Sequence, residues 1–259
     1  MRLNKAQIFL IASALVAFFI MYFGCESKPK NVRDLEKSRS LTLQVTSVQN
    51  IIREAQKTLS PDKISTIETL QMQLEKDTAK QVEILEMLSS KWYEYGHPAI
   101  AGHYAEEIAL KKNTEDSWSI AGTTYSLGLK TSKTEKDKDF CREKAINAFE
   151  KATSLNPSNI SHRINSAICY TEHPLKDNPM QGILMLRELN TKYPDNISVI
   201  NQLARLAIKT NQIDRAIERL NQALKLDPKN KTTNCLLAEV YEIKGDATKS
   251  NEFKEKCLK

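Results

Sequence analysis

Three segments of this chain repeat one spacing, and that spacing leaves few folds open. In AINAFEKATSLNPSN, residues Ala145, Phe149, Ala152 and Pro157 stand four, three and five residues apart. Gly182, Leu186, Leu189 and Pro194 repeat the interval, and so do Ala216, Leu220, Ala223 and Pro228. The first three positions of each set share one stripe of an α-helix, because helical neighbours recur every three or four residues. The proline stands where that helix must stop. Upstream of the last set, Leu203, Ala204 and Ala207 define a second amphipathic helix. Ala216 follows Gly182 by 34 residues, so the unit is a helix, a turn and a helix of that period. Composition agrees: 7 glycines and 8 prolines in 259 residues leave little that forbids helix, and 41% hydrophobic content is enough for a core.

The register extends in both directions. Unit one takes Leu85, Leu88, Ser89 and Trp92, a turn at Gly96, then Ala101, Ala105 and Ile108, with Asn113 where the proline is expected. Unit two has Trp118, Ala121, Gly122 and Tyr125, and unit three has Ala167 and Tyr170. Unit five gives Leu237, Ala238, Tyr241 and a Gly245-Asp246 turn, but Ser250 and Lys254 replace its Ala and Phe, which suits a terminal helix with no successor to cover. This pattern resembles the tetratricopeptide repeat over residues 82–259; unit two follows its W-x2-L-G-x2-Y signature save for Ala121. The resemblance implies an all-α, right-handed superhelical solenoid of about five helix pairs with a concave groove. Small residues let paired helices approach, and each pair leaves an apolar side that only its neighbour can cover. Two insertions lengthen turns within units. GLKTSKTEKDKDF in unit two reads as a solvated, disordered excursion, and HPLKDNP in unit three projects from the same edge.

The first 81 residues lie outside the repeats. Residues 8–24 are seventeen uncharged positions, preceded by Arg2 and Lys5, and at about 1.5 Å each they span roughly 25 Å, the lower limit for a membrane. Two readings stand for residues 1–25. One is an uncleaved transmembrane anchor, which Tyr22 and Phe23 suit as an interfacial belt and which would place the bulk of the chain in the periplasm or otherwise outside the cytoplasm. The other is a bacterial lipoprotein signal, with Cys25 acylated and the protein held at the outer membrane. Residues 26–81 read as a tether and helical hairpin. Leu41, Val45, Val48, Ile52, Ala55 and Leu59 form a heptad seam that either packs on the first repeat or makes a homodimer coiled coil through residues 41–59. Ser60 and Pro61 start the next helix.

Catalytic chemistry finds no foothold. The chain has no phosphate loop, G-x-G-x-x-G, H-E-x-x-H, G-x-S-x-G or C-x-x-C, so no catalytic, cofactor-binding or metal residues are assigned. Cys169, His173 and His162 share helical spacing, yet His173 precedes Pro174 and should end the helix. Cys141, Cys169, Cys235 and Cys257 form no framework and are expected as free thiols. The sequons at Asn159 and Asn196 fall where a helix must be capped and read as turn residues. A net charge of +6, spread along the chain, gives no nucleic-acid footprint. The family resemblance implies a peptide groove on the first helix of each unit. It assigns Glu83, Glu86 and Tyr93, then Ser119, Thr123 and Ser126, then Ile164 and Ile168, then Asn201, Arg205 and Lys209, then Glu239 and Glu242. Tyr93, Thr123, Ile164, Ile168, Asn201, Arg205 and Lys209 are its principal members. The expected partner is a protein or peptide, held by a membrane-tethered, non-catalytic scaffold at a bacterial envelope. An assembly lipoprotein of the outer membrane or of secretion, and a regulatory subunit of an enzyme complex, are the alternatives.

Overall fold

The computed structural model describes residues 48–258, and among these every regular element is helical. Residues 1–25, expected above as a transmembrane anchor or lipoprotein signal, and the first part of the heptad seam lie outside the described residues. From Asn50 onward the chain forms one compact unit. A helical run over 48–56 ends before Ser60, and then come α1 (Pro61–Lys76), α2 (Gln81–Glu94), α3 (Pro98–Lys112), α4 (Glu115–Thr131), α5 (Glu135–Leu155) and α6 (Ser161–Glu172). They are followed by α7 (Gln181–Lys192), α8 (Ile197–Lys209), α9 (Ile213–Leu226), α10 (Lys231–Ile243) and α11 (Ala247–Leu258). The five units are α2/α3, α4/α5, α6/α7, α8/α9 and α10/α11, in the register the spacing predicts. α1 packs on α2, with Ile67 buried and Gln71 donating to the Tyr104 hydroxyl of α3 at 3.1 Å.

Three units turn in the same way, and the turn residue explains why. After α2, α8 and α10 the chain passes through Gly96 (φ 83°), Asn211 (φ 57°) and Gly245 (φ 80°). The next N–H reaches back five residues, His97 to Trp92, Gln212 to Ala207 and Asp246 to Tyr241. That left-handed cap satisfies carbonyls the helix end would orphan, and only Gly or Asn enters it cheaply. Asn196 and Asn230 cap α8 and α10 by accepting from Val199 and Thr233 at 3.1 Å, and Pro194 and Pro228 sit in the turns before them. Asn159 lies in the turn before α6, accepting from the Ser161 N–H.

The core confirms why repeats stack. Ala105 and Ala109 of α3 cluster with Trp118 and Ala121 of α4 and with Ala148 and Ala152 of α5. Ile164 and Ala167 of α6 cluster with Leu186 and Leu189 of α7 and with Val199 and Leu203 of α8. Ala204 and Ala207, Ala216 and Leu220, and Leu236, Leu237 and Val240 do the same across α8, α9 and α10. In each case three helices of two units share the apolar contact, so no pair closes its own core.

Three expectations need correction. The lysine-rich insertion is not a disordered excursion: it lengthens α4 to Thr131 and starts α5 at Glu135, with Thr134 accepting from the Asp137 N–H. Its residues are good helix formers, and a cap at Thr134 makes the extension cheap. It also meets the second insertion, since Asp139 lies 3.0 Å from His173 Nε2 and Arg142 donates to the His173 carbonyl. Ser250 is not a polar residue turned to solvent. It is 2% exposed and its hydroxyl donates to the Ala238 carbonyl at 3.0 Å, as Ser89 does to Ala101 in unit one. The aromatic of unit five sits one place earlier, with Phe253 stacked on Tyr241 at 5.7 Å. Finally, Cys235 and Cys257 are joined as a disulfide, while Cys141 and Cys169 are buried thiols as expected. The reason is topological: the pairing of α10 with α11 brings the second turn of one beside the last turn of the other, which residue spacing alone does not reveal.

Candidate functional site

A cleft of about 590 Å³ opens between α2 and α4, over a floor supplied by α3. Glu86, Ser90 and Tyr93 form the α2 wall, and Asp116, Ile120 and Thr124 form the α4 wall. Ala105 and Ile108, both buried, underlie it. Tyr93 is 56% exposed and Ile120 60% exposed, so the cleft presents two large apolar side chains to solvent rather than to the core. Single exposed apolar residues are ordinary, but two lining one concavity make it a candidate binding surface. Lys112 Nζ meets Glu86 Oε1 at 2.7 Å on the lip, where both side chains are largely solvated and the pair orients more than it stabilises. A second depression, between α1 and α2, is lined by Thr66, Leu70, Met87 and Lys91, and Ser90 borders both.

The α4 wall is held from below. Thr114 caps α4 by accepting from the Ser117 N–H, and Trp118 Nε1 donates to Asn113, itself left-handed at φ 47°. One residue into α4, the Glu115 carboxylate accepts from His162 Nε2 (2.8 Å), Asn156 Nδ2 (2.8 Å) and Asn159 Nδ2 (2.7 Å). These donors, His162 first, hold its pKa down to about 2. The node ties α4 to the turn after α5 and to α6.

The sequence-derived groove residues divide by burial. Tyr93 and Glu86 line the cleft, and Thr123, Arg205 and Lys209 are exposed on α4 and α8. Ile168 is half-buried against the cluster containing Ile164, which is itself only 5% exposed. Asn201 is 3% exposed, and its Oδ1 accepts from Thr233 Oγ1 at 3.0 Å. Ile164 and Asn201 therefore join neighbouring first helices and present no groove surface. Sequence reasoning missed Asp116, which holds in α4 the place Glu83 holds in α2, and Ile120 and Thr124, which stand beside the expected face. An isoleucine unclaimed by the core pattern was the available signal.

Burial pushes the Cys141 thiol up to about 12 and raises that of Cys169, which leaves both as thiols rather than nucleophilic thiolates. Among the described residues no group of three or more His, Cys, Asp or Glu is placed to hold a metal ion. His162, Cys169 and His173 instead contact Glu115, Ser126 and Asp139.

Sequence comparison finds the same unit independently. A tetratricopeptide repeat profile matches residues 142–159, and a TPR repeat profile matches residues 205–245. Tetratricopeptide repeats are matched over those two segments. The first match covers much of α5 and the turn after it, and the second runs from α8 through α10. No curated protein matches in sequence. Solved structures that overlay on the chain include TTC0263, a thermophilic TPR protein of Thermus thermophilus, at 15% identity over 75% of this chain and 99% of that one, with a TM-score of 0.49. MamA from Desulfovibrio magneticus RS-1, residues 41 to the end, overlays at 16% identity over 70% and 96%, with a TM-score of 0.41. The repeats are consistent with an interaction scaffold and direct attention to protein partners.

Proposed function

We propose that this protein is a membrane-tethered, non-catalytic scaffold that binds an extended peptide segment of a partner protein at a bacterial cell envelope. The cleft between α2 and α4 carries the reading. It is concave and open, walled by Tyr93 and Ile120, and rimmed by Glu86, Lys112 and Asp116, which suits an apolar side chain on an otherwise extended chain. Thr123, Arg205 and Lys209 continue the binding surface along later first helices, with a basic segment at α8. Capture by the full-length protein tests it. Tyr93→Ala with Ile120→Asp should abolish retention of partners that the wild type retains, and Arg205→Glu should weaken it. Undiminished retention by both variants refutes the groove.

The tether rests on residues 8–24, whose uncharged length reaches the lower limit for a span. Among the described residues no helix is long and apolar enough to cross a membrane. Gly24-Cys25 after the apolar run favours a second reading, an acylated envelope lipoprotein acting in outer-membrane or secretion assembly. Radioactive palmitate separates the two: label lost in Cys25→Ala supports the lipoprotein, and an unlabelled, unprocessed chain supports the uncleaved anchor.

A further inference from the structure

We propose that the Cys235–Cys257 disulfide is a redox-governed clasp that locks α11 onto α10, and that the repeat domain consequently works in an oxidising compartment. The inference is independent of the cleft. The two Cα atoms lie 4.8 Å apart, inside the range a disulfide requires. Disulfides persist on the oxidising side of a membrane and are rare where thiols are kept reduced.

α11 is the last helix of the described array and carries little apolar surface of its own. Its sequence, ATKSNEFKEKCL, is mostly polar, and Ser250 is its only buried residue. What holds it to α10 is the Ser250 hydroxyl on the Ala238 carbonyl, the Phe253 ring on Tyr241, and the exposed Lys254–Glu242 pair at 2.7 Å. Phe253 in turn lies against the cluster that contains Leu237 and Val240. Fraying of α11 would therefore uncover the apolar side of the last unit. Helix termini and end repeats open most readily, and a covalent link at the last turn of α11 opposes that opening.

The cysteines are sorted for this role by position. Cys235 and Cys257 are half-buried at the end of the helix pair, within reach of a reagent. Cys141 and Cys169 are 0% and 1% exposed, beside Ser132 and Ser126, and cannot be approached without unfolding. Closure is an exchange with an exposed disulfide of a thiol–disulfide oxidoreductase. The thiolate of one cysteine attacks a donor sulfur and displaces the other donor sulfur as thiolate. The second cysteine then attacks the mixed disulfide, forming Cys235–Cys257 and releasing the donor as a dithiol. Two electrons pass to the donor, and the two thiol protons go with them or to solvent.

The test uses the full-length protein in the cells that make it. Cells are quenched in acid, denatured, alkylated with N-ethylmaleimide, then reduced and alkylated with an isotopically heavy form before peptide mass spectrometry. Cys235 and Cys257 should carry the heavy label, and Cys141 and Cys169 the light one. Light label on Cys235 and Cys257 overturns the proposal, because both would then be thiols in the cell. In the purified full-length protein, reduction should speed amide exchange in α11 about tenfold or more while α2 to α7 stay unchanged. Cys257→Ser and, separately, Cys235→Ser should exchange at the reduced rate without reductant. Unchanged exchange in α11 on reduction also overturns the clasp.

Discussion

Gly182→Ala isolates the physical reason the repeats stack so closely. Ala101, Ala145, Ala216 and Ser250 hold the same place in the other units, so a methyl is ordinarily welcome there. In unit three it is not. A Cβ on Gly182 would stand 2.6 Å from the Ala167 carbonyl oxygen, 2.7 Å from Thr171 Cγ2 and 2.8 Å from the Thr171 amide nitrogen. Two of these three atoms are backbone of α6, which cannot rotate aside as a side chain does. The helices must move apart, and overpacking of this kind costs about 1–3 kcal/mol. Against that, alanine in place of glycine within a helix returns up to about 1 kcal/mol, and less at the second residue of α7. Steric cost wins by about 1–2 kcal/mol. Urea unfolding followed by helical circular dichroism should show a lower midpoint, and amide exchange should place the loss in α6 and α7 rather than across the array. Thr171→Ala added to it removes only the Cγ2 contact, so the double variant should recover less than half of the loss. Gly245→Ala serves as the contrast: nothing lies within 4 Å, yet its φ of +80° makes any side chain costly by about 1 kcal/mol. A Gly182→Ala protein at least as stable as wild type would refute the reasoning, because helix propensity would then outweigh the α6–α7 contact.

Three further outcomes follow from the packing and the charges. Glu115 is held below its ordinary value of 4.5, at about 2, by donors from His162, Asn156 and Asn159, so its contribution is fully present above about pH 4.5 and is lost as pH falls through about 2. Glu115→Gln should be less stable than wild type near neutrality, and the gap in urea midpoint should close over that window; a constant gap would refute the assignment. Leu220→Ala, at a residue 0% exposed among α8, α9 and α10, should cost about 2–5 kcal/mol, whereas Leu184→Ala, at a residue 53% exposed, should stay within about 0.5 kcal/mol by the same melt. Ile120→Asp should leave thermal stability nearly unchanged, since the side chain is 60% exposed, while partner capture falls; loss of both together would place Ile120 in the core instead.

How much was legible in the sequence depended on whether a residue's role was set by its own unit or by what its unit meets. Ala216, Leu220 and Ala223 announce their helix and its buried side because close approach demands small residues at fixed intervals, and that demand repeats in every unit. Asn201 could not be read so simply. Its place on the first helix is the same as Glu86's, but Thr233 and the Asn230 cap lie beside it in the next unit and turn a groove position into a strut between helices. The lysine-rich insertion was ambiguous for another reason, since Lys, Glu and Asp look alike in a solvated loop and on a solvated helix; what decides is Thr134, whose cap is worth about 1 kcal/mol. The disulfide shows what the register itself could have supplied. Cys235 stands near the start of the first helix of unit five and Cys257 near the end of the second, and a helical hairpin brings those two turns together whatever their separation in sequence. Pairing logic, applied across the hairpin rather than along the chain, finds the bond that cysteine spacing conceals.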